Sequence, residues 1–464
     1  MKQDLQALVI DDDPQVSSFV ADVLSTDGWN VREANSAEQA FGMLPERKWK
    51  IVFCDVMLGG ADGYAVLHHF TENLPEARFV LMTGHGSAAG ALDATAIGAY
   101  DYLVKPITIE DILSLAKSVR EQQRLRSQNP KSKIAEPSAG YLSDIPLIGK
   151  SPKFVECLKM VGRVAPTNLP VLITGESGTG KELVAQAIHQ RSRRAGGSFV
   201  AVNCGAIPVE LIESELFGHA KGSFTGADRE RVGLWEEASG GTILLDEITE
   251  TSPMFQVKLL RALQQGEIRR VGSNRTLPVD VRAIAATNRD IEEEMRQGRF
   301  RQDLMYRLNA VTIHIPPLRE RTEDIPLLAE HFARRVLRPS PAPPVTFSLP
   351  ALEMLQKYDW SGNVRELENA VLHAASMCDD VIYPEHLPAR VRGFYEDSTA
   401  SPESSPTTVR GDNEWLSLAA MEDKYIAQVL AHTGGNKQAA ARLLRIDRKT
   451  LARILKRNAE ESEK

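Results

Sequence analysis

The chain has 464 residues, with 55 Lys and Arg against 62 Asp and Glu and a net charge of -7. That length exceeds one hydrophobic core and predicts about three domains, at roughly 100 to 200 residues each, while the acidic balance excludes a chain that is basic throughout. Four scattered cysteines, Cys54, Cys157, Cys204 and Cys378, exclude a disulfide framework, and the lack of a signal core or of an 18-residue apolar run makes a cytoplasmic protein the expectation.

Leu8–Ile10 reads as a short buried strand that runs into Asp11, Asp12 and Asp13. Further strands are predicted at Ile51–Cys54, Phe79–Met82 and Tyr102–Val104 with helical patterns between them, an alternating α/β unit on a parallel sheet. In such sheets the site lies at the carboxyl ends of the strands, where Asp11, Asp12, Asp55, Thr83 and Lys105 fall. One acid there would be a solvated rim residue. Three carboxylates with a lysine instead make a magnesium site beside an aspartate that can accept a phosphoryl group. Residues 1–122 resemble the receiver domains of two-component systems. The resemblance implies that Asp55 is phosphorylated, Asp11 and Asp12 hold the metal, Thr83 contacts the phosphoryl group, Lys105 pairs with it, and Tyr102 reorients on activation. Gly59 stands where that family usually has proline, which predicts a less rigid loop.

From Thr108, residues Ile109, Ile112, Leu113, Ala116 and Val119 keep a helical spacing that continues to Leu125. The helix either covers its own domain or extends to pair with its copy in a dimer. Residues 123–143, with Pro130 and Pro137, read as a flexible linker.

The central segment is organised around Gly175, Glu176, Ser177, Gly178, Thr179, Gly180, Lys181 and Glu182, between an apolar strand Val171–Thr174 and an amphipathic run Leu183–Ile188. Strand, glycine loop and helix opening make a phosphate cradle, in which backbone N–H groups and the helix dipole meet an anion and Lys181 supplies a point charge. Glu182 replaces the usual Ser or Thr, so the magnesium ligands must come from carboxylates and water. Strands follow at Phe199–Val202, Thr242–Leu245, Val281–Ala286 and Ala310–Ile315. Gly241–Glu247 is a hydrophobic strand ending in two acids. Asp246 can hold magnesium while Glu247 orients or deprotonates the attacking water. Asn288 and Asn203 are candidate sensors of the terminal phosphate. Arg301 and Arg307 share a helix with no obvious local acid for both, which suits arginines that complete a neighbour's site.

Residues 144–390 resemble the AAA+ domain of bacterial enhancer-binding proteins, the sigma-54-dependent activators typified by the nitrogen regulator NtrC. The stretch Gly175–Glu182 matches that family's P-loop variant, Glu182 included. Gly222, Ser223, Phe224, Thr225, Gly226 and Ala227 match the loop that engages sigma-54, with Ser223 in place of the usual alanine. The resemblance implies Asn203 as a switch, Asn288 as first sensor, Arg301 and Arg307 as fingers, and Arg365 as second sensor in a helical lid over about 320–390.

Residues 391–413 are polar and poor in apolar side chains and read as a disordered tether. Trp415–Leu430 has helical periodicity. Asn436 caps a short helix to Leu444, and a turn leads into Arg448–Lys456. From Ala431 to Asn458 the local net charge is +7. Two helices joined by a tight turn, the second basic, are the helix-turn-helix layout, and residues 414–464 resemble the family's Fis-type DNA-binding domain. Asn436, Lys437, Arg448, Lys449, Thr450 and Arg453 are the candidate DNA contacts.

The expected fold class is multidomain α/β plus all-α: a flavodoxin-like receiver, an AAA+ P-loop ATPase with helical lid, and a C-terminal helix-turn-helix. The expected function is a response regulator, switched by aspartyl phosphorylation, that uses ATP and Mg²⁺ to activate sigma-54 RNA polymerase from an upstream enhancer-like DNA site. Its expected partners are a sensor histidine kinase and further copies of itself, a dimer that forms a hexameric ring when active. The alternatives are an ATP-dependent protein remodeller without a DNA target, or a DNA-binding regulator with a vestigial ATPase.

Overall fold

The computed structural model describes residues 5–128 and 146–399, apart from 44–48, 60, 75, 85–86, 224–226, 228 and 336–344, and seven positions beyond residue 425. In the first segment β1 (Gln6–Ile10), β2 (Asn30–Ala34), β3 (Ile51–Asp55), β4 (Arg78–Thr83) and β5 (Asp101–Val104) form one parallel sheet, in the order β2-β1-β3-β4-β5. Every residue of β1 and β3 is buried, as a sheet covered on both faces requires. The cover is α1 (Pro14–Thr26), α2 (Ala37–Met43), α3 (Gly63–Asn73), α4 (Ala88–Ala96) and α5 (Ile109–Gln128). Asp13 starts α1 by accepting the N–H of Gln15, with Pro14 in the first turn where no N–H is needed. The sequence pattern missed β2, an edge strand with only Ala34 fully buried and with Arg32 and Glu33 in its middle. Helix α5 reaches Gln128, so the expected 123–143 linker begins as helix; residues 129–145 lie outside the described ones.

The central segment opens with α6 (Pro152–Val164) and holds a second parallel sheet. Its strands are β6 (Val171–Thr174), β7 (Phe199–Asn203), β8 (Thr242–Asp246), β9 (Arg282–Thr287) and β10 (Val311–His314), in the order β10-β6-β9-β8-β7. Around it stand α7 (Lys181–Gln190), α8 (Val209–Phe217), α9 (Pro253–Gln265) and α10 (Gln302–Leu308). A separate helical lid follows: α11 (Ile325–Arg334), α12 (Leu349–Lys357), α13 (Asn363–Met377) and α14 (Ala389–Thr399), around a core that includes Leu328, Leu355, Trp360 and Leu367. Helix α14 corrects the expected boundary of the tether. The chain stays helical through Thr399, because Phe394 packs edge-on to Tyr358 and Lys357 lies over the Tyr395 ring.

The two α/β segments are joined face to face by α4 and α6. Ala91, Leu92 and Ala94 share one buried cluster with Leu158 and Val161. Helix α6 comes so close that a Cβ on Gly162 would fall 1.9 Å from Thr95 Oγ1, so only glycine fits there. Polar contacts rim the seam. Arg191, at the C-cap of α7, donates through Nε and Nη2 to Asp93 Oδ1 at 2.9 and 2.6 Å. Lys159 pairs with Asp101 at 2.7 Å, and Arg163 donates to the Tyr100 carbonyl at 3.0 Å.

The remaining compact unit, Ser398–Lys464, has a small apolar core of Ile426, Ala441 and Leu451, with Val429 and Ile446 against it. Lys437 is helical and exposed, while Asn436, Arg448, Lys449, Thr450 and Arg453 lie outside the described residues. Among the described residues no helix is long and apolar enough to cross a membrane.

Candidate phosphoacceptor and nucleotide sites

At the carboxyl end of the first sheet, Asp11 directly follows β1, β3 ends at Asp55, and the adjacent β4 ends at Thr83. One carboxylate oxygen from each of Asp11, Asp12 and Asp55 lies within 4.8 Å of the others. Three such hard oxygen donors suit a divalent cation of the magnesium type. Lys105 Nζ spans the group, 2.8 Å from Asp11 Oδ2 and 2.7 Å from Asp55 Oδ2. Burial opposes the charge on Lys105, but the hydrogen bonds to Asp11 and Asp55 outweigh it and its pKa is raised. Burial likewise raises the Asp11 pKa, against the pull of Lys105. Tyr102 is buried, and its hydroxyl bonds to Thr83, to the backbone at Ser87 and to Tyr64. It lies beneath α4, where a Cβ on Gly90 would meet that hydroxyl at 2.7 Å. After Asp55, Gly59 takes φ +53°, a value the proline ring forbids, so this turn differs in geometry from one that carries proline.

In the second sheet the loop Gly175–Gly180 joins buried β6 to α7, whose first residue is Lys181. The Lys181 amine is folded onto the loop, donating to the carbonyls of Gly175 (2.9 Å) and Glu176 (3.0 Å). Burial lowers its pKa, partly offset by Asp246 and Glu247. Thr179 uses its hydroxyl on the Glu176 carbonyl. Glu182 is exposed and accepts from Gln186 one turn on, so its side chain points along the helix and away from the cradle. Asp246 ends β8 and accepts the N–H of Glu247 at 3.0 Å. Glu247 takes φ +52°, a left-handed backbone that few non-glycine residues adopt and that is tolerated chiefly at functional turns. Gly205 leaves room for the Glu247 carboxylate beside it. Asn203, in register with Asp246, spends its side-chain oxygen on the N–H groups of Gly205 and Ala206.

Asn288 is exposed just past β9, beside a buried Thr249–Thr287 hydroxyl contact that the sequence did not suggest. Arg301 departs from the expectation. It caps α10 from outside, and it has a local acid after all: Asp303 takes its Nε and Nη2 at 3.0 and 2.7 Å. Arg307 donates to the Leu263 carbonyl. Among the described residues neither arginine bonds to the P-loop. Arg365 lies in the first turn of α13, its N–H donating to the Gly178 carbonyl at 3.3 Å.

Between P-loop and lid is a cavity of about 600 Å³, lined by Leu147, Ile148, Gly180, Leu183, Arg321 and Phe332 among others. Its size and mainly apolar walls suit a planar base. Gly222 and Ala227 close the base of the loop between them through a 2.8 Å backbone bond, and Ala220 donates to the Val271 carbonyl. Ser223 packs on Gly272 with its hydroxyl buried and, among the described residues, unpartnered. Phe224, Thr225 and Gly226 lie outside the described residues.

Family models match in chain order: a response regulator receiver domain over residues 7–117, a sigma-54 interaction domain over 147–314, an AAA+ ATPase lid domain over 319–404, and a bacterial regulatory protein of the Fis family over 417–457. The chain is 42% identical to the transcriptional regulatory protein ZraR of Escherichia coli K12, across 98% of this chain and 99% of that one. It is 38% identical to the response regulator protein PilR of Pseudomonas aeruginosa, across 97% and 98%. A crystal structure of NtrX from Brucella abortus in complex with ADP is 32% identical and matches with a TM-score of 0.50, covering 97% of this chain and 98% of that one. Carboxylate cluster, P-loop and lid thus fall in turn within the receiver, sigma-54 interaction and lid matches, ahead of the Fis-family match, and the chain belongs to the sigma-54-dependent response regulators, phosphorylation-responsive transcription activators with an ATPase domain and a Fis-type DNA-binding domain.

Proposed function

We propose that phosphorylation of Asp55 releases the central ATPase from a clamp made by the receiver. The observation that carries this reading is the α4–α6 seam, which ties the receiver to the helix that follows the P-loop through Asp93 and Arg191. A histidine kinase or a small phosphodonor supplies the phosphoryl group. An Asp55 oxygen bonds to phosphorus as the donor's bond breaks, leaving a charge near -2. Asp11 and Asp12 would hold Mg²⁺, which supplies charge neutralisation for that transfer. Lys105 pairs with the new charge and Thr83 donates to it. Tyr102, bonded to Thr83 and lying beneath α4, moves with it and loosens the seam.

In the ATPase the backbone of Gly175–Glu182 and Lys181 hold the phosphates, and the apolar cavity takes the base. Asp246 would hold Mg²⁺, which supplies further neutralisation of the phosphates. Glu247 takes a proton from the water that attacks the terminal phosphorus as the bridging P–O bond breaks. Asn203 and Asn288 report the terminal phosphate, and Arg365 reports it to the lid. Arg301 and Arg307 reach a neighbouring copy's site in a ring, Arg301 leaving an exposed pair with Asp303 that costs little to break. The loop from Gly222 to Ala227 then engages sigma-54, while Asn436, Lys437, Arg448, Lys449, Thr450 and Arg453 hold the tail on an upstream DNA site. Such work on DNA and polymerase places the protein in the cytoplasm.

Charge reversal at the seam tests the clamp. Asp93→Arg sets two arginines against each other and is expected to raise basal ATP hydrolysis roughly five- to tenfold without phosphodonor, the scale of a modest coupling between sites. Adding Arg191→Asp restores the pair and is expected to return the rate to wild type. Phosphate release by the three purified proteins decides. A basal rate that does not rise in Asp93→Arg would contradict the clamp.

A further inference from the structure

The P-loop of this chain carries an acid. Glu176 lies between Gly175 and Ser177 in a loop built to attract a triphosphate, and a free carboxylate there would repel it. The structure does not leave that carboxylate free. Arg319, in the single turn Leu318–Glu320 that leads into the lid, donates through Nη1 to Glu176 Oε2 at 2.8 Å and through Nη2 to Oε1 at 2.6 Å. This is the two-pronged geometry in which a guanidinium binds a carboxylate most tightly. Asn363 Nδ2 adds a bond to Oε2 at 3.1 Å and another to the Ser177 carbonyl at 3.0 Å.

Asn363 is itself fixed. It is fully buried with φ +52°, and its Oδ1 accepts the N–H of Leu318 at 2.8 Å. The lid backbone presses on the same loop. The N–H groups of Val364 and Arg365 both donate to the Gly178 carbonyl, and a Cβ on Gly178 would lie 2.3 Å from the Gly362 oxygen. Gly178 also needs φ +78°, so two requirements meet at one glycine. The bond to Arg319 holds the Glu176 pKa down to about 2. The direction fixes the pH window. A depressed acid contributes its bonding fully above the ordinary glutamate value and loses it only as pH falls toward 2, so the pair stays charged at any working pH.

We propose that Arg319 is a positioning residue of the nucleotide site, neutralising Glu176 and turning its carboxylate toward the lid so that the P-loop meets the triphosphate as a net positive cradle. This rests on the reading of Gly175–Glu182 as the ATP site. A carboxylate at that place therefore ties the lid to the P-loop, and its charge harms nucleotide binding only when Arg319 is gone.

Equilibrium binding of ATP to the full chain, followed by calorimetry, tests the proposal with four variants. Arg319→Ala is expected to weaken binding about tenfold, the order set by one uncompensated charge near the phosphates at an effective dielectric of about 20. The loss should shrink as salt is added. Glu176→Gln alone is expected to bind ATP as well as wild type or better. The double variant Arg319→Ala/Glu176→Gln is expected to recover most of the lost affinity, because no charge is left to neutralise. A residue that merely braced the lid would give no such recovery. If the double variant binds as weakly as Arg319→Ala, or if Glu176→Gln is as weak as Arg319→Ala, the charge role is overturned. Lys181→Ala separates this from a failure of the underlying site. Wild type that binds ATP, with Lys181→Ala that does not, keeps the nucleotide site whatever happens at Arg319. Equal binding by those two would remove the site and the proposal together.

Discussion

Lys181→Ala is expected to lower ATP hydrolysis by about a thousandfold while DNA binding by the tail is unchanged. The Lys181 amine is the cation at the mouth of α7, parked on two carbonyls of its own loop, and those bonds give it a place from which to reach the phosphates. Without it the triphosphate meets the helix dipole and backbone N–H groups alone, and loss of one oriented charge at a phosphoryl-transfer site costs on the order of a hundred- to a thousandfold or more. Steady-state phosphate release measures the loss, and a salt-dependent gel shift on the same protein shows whether the tail still binds DNA. Unchanged turnover would refute the proposed mechanism, and it would favour a chain whose P-loop is vestigial.

Asp55→Asn is expected to abolish labelling by a small phosphodonor and, with it, any stimulation of the ATPase. The substitution removes the proposed acceptor oxygen, one of three clustered carboxylates, and one of the two anions that hold Lys105. Magnesium affinity at the receiver is expected to fall at least about tenfold, since even indirect supports of a metal site cost that much when lost. Intact-mass measurement after incubation with phosphodonor gives the answer as a phosphoryl adduct present in wild type and absent in the variant. An adduct that persists in Asp55→Asn would move the acceptor elsewhere.

What the sequence made legible is what lies close together along the chain. The acids after Leu8–Ile10, the P-loop between β6 and α7, and the Asp246–Glu247 pair at a strand end each sit in a local pattern whose chemistry follows from spacing. Contacts made across the fold were hidden. Arg319 and Glu176 are 143 residues apart, and nothing in either neighbourhood marks them as a pair. The seam was hidden for another reason: Ala91, Ala94 and Gly162 look like ordinary helix residues, and only the fold shows that small side chains let α4 and α6 approach closely. Edge strand β2 lacks the apolar run that reveals its neighbours. Helix α14 is obscured by the polar stretch that follows it, because composition marks the whole stretch as a tether while Phe394 and Tyr395 pack on the lid. Helical spacing does not mark Asp303 as a partner of Arg301, because the pair forms around a helix start, where residues two apart can meet.

The most direct test of the account is transcription from a sigma-54 promoter with purified polymerase, this chain and its upstream DNA site, with and without phosphodonor. The account predicts transcript only when hydrolysable ATP is present, a several-fold rise on adding phosphodonor to wild type, and no rise for Asp55→Asn. Equal transcript from wild type with and without phosphodonor, or transcript that persists with a non-hydrolysable ATP analogue, would contradict it.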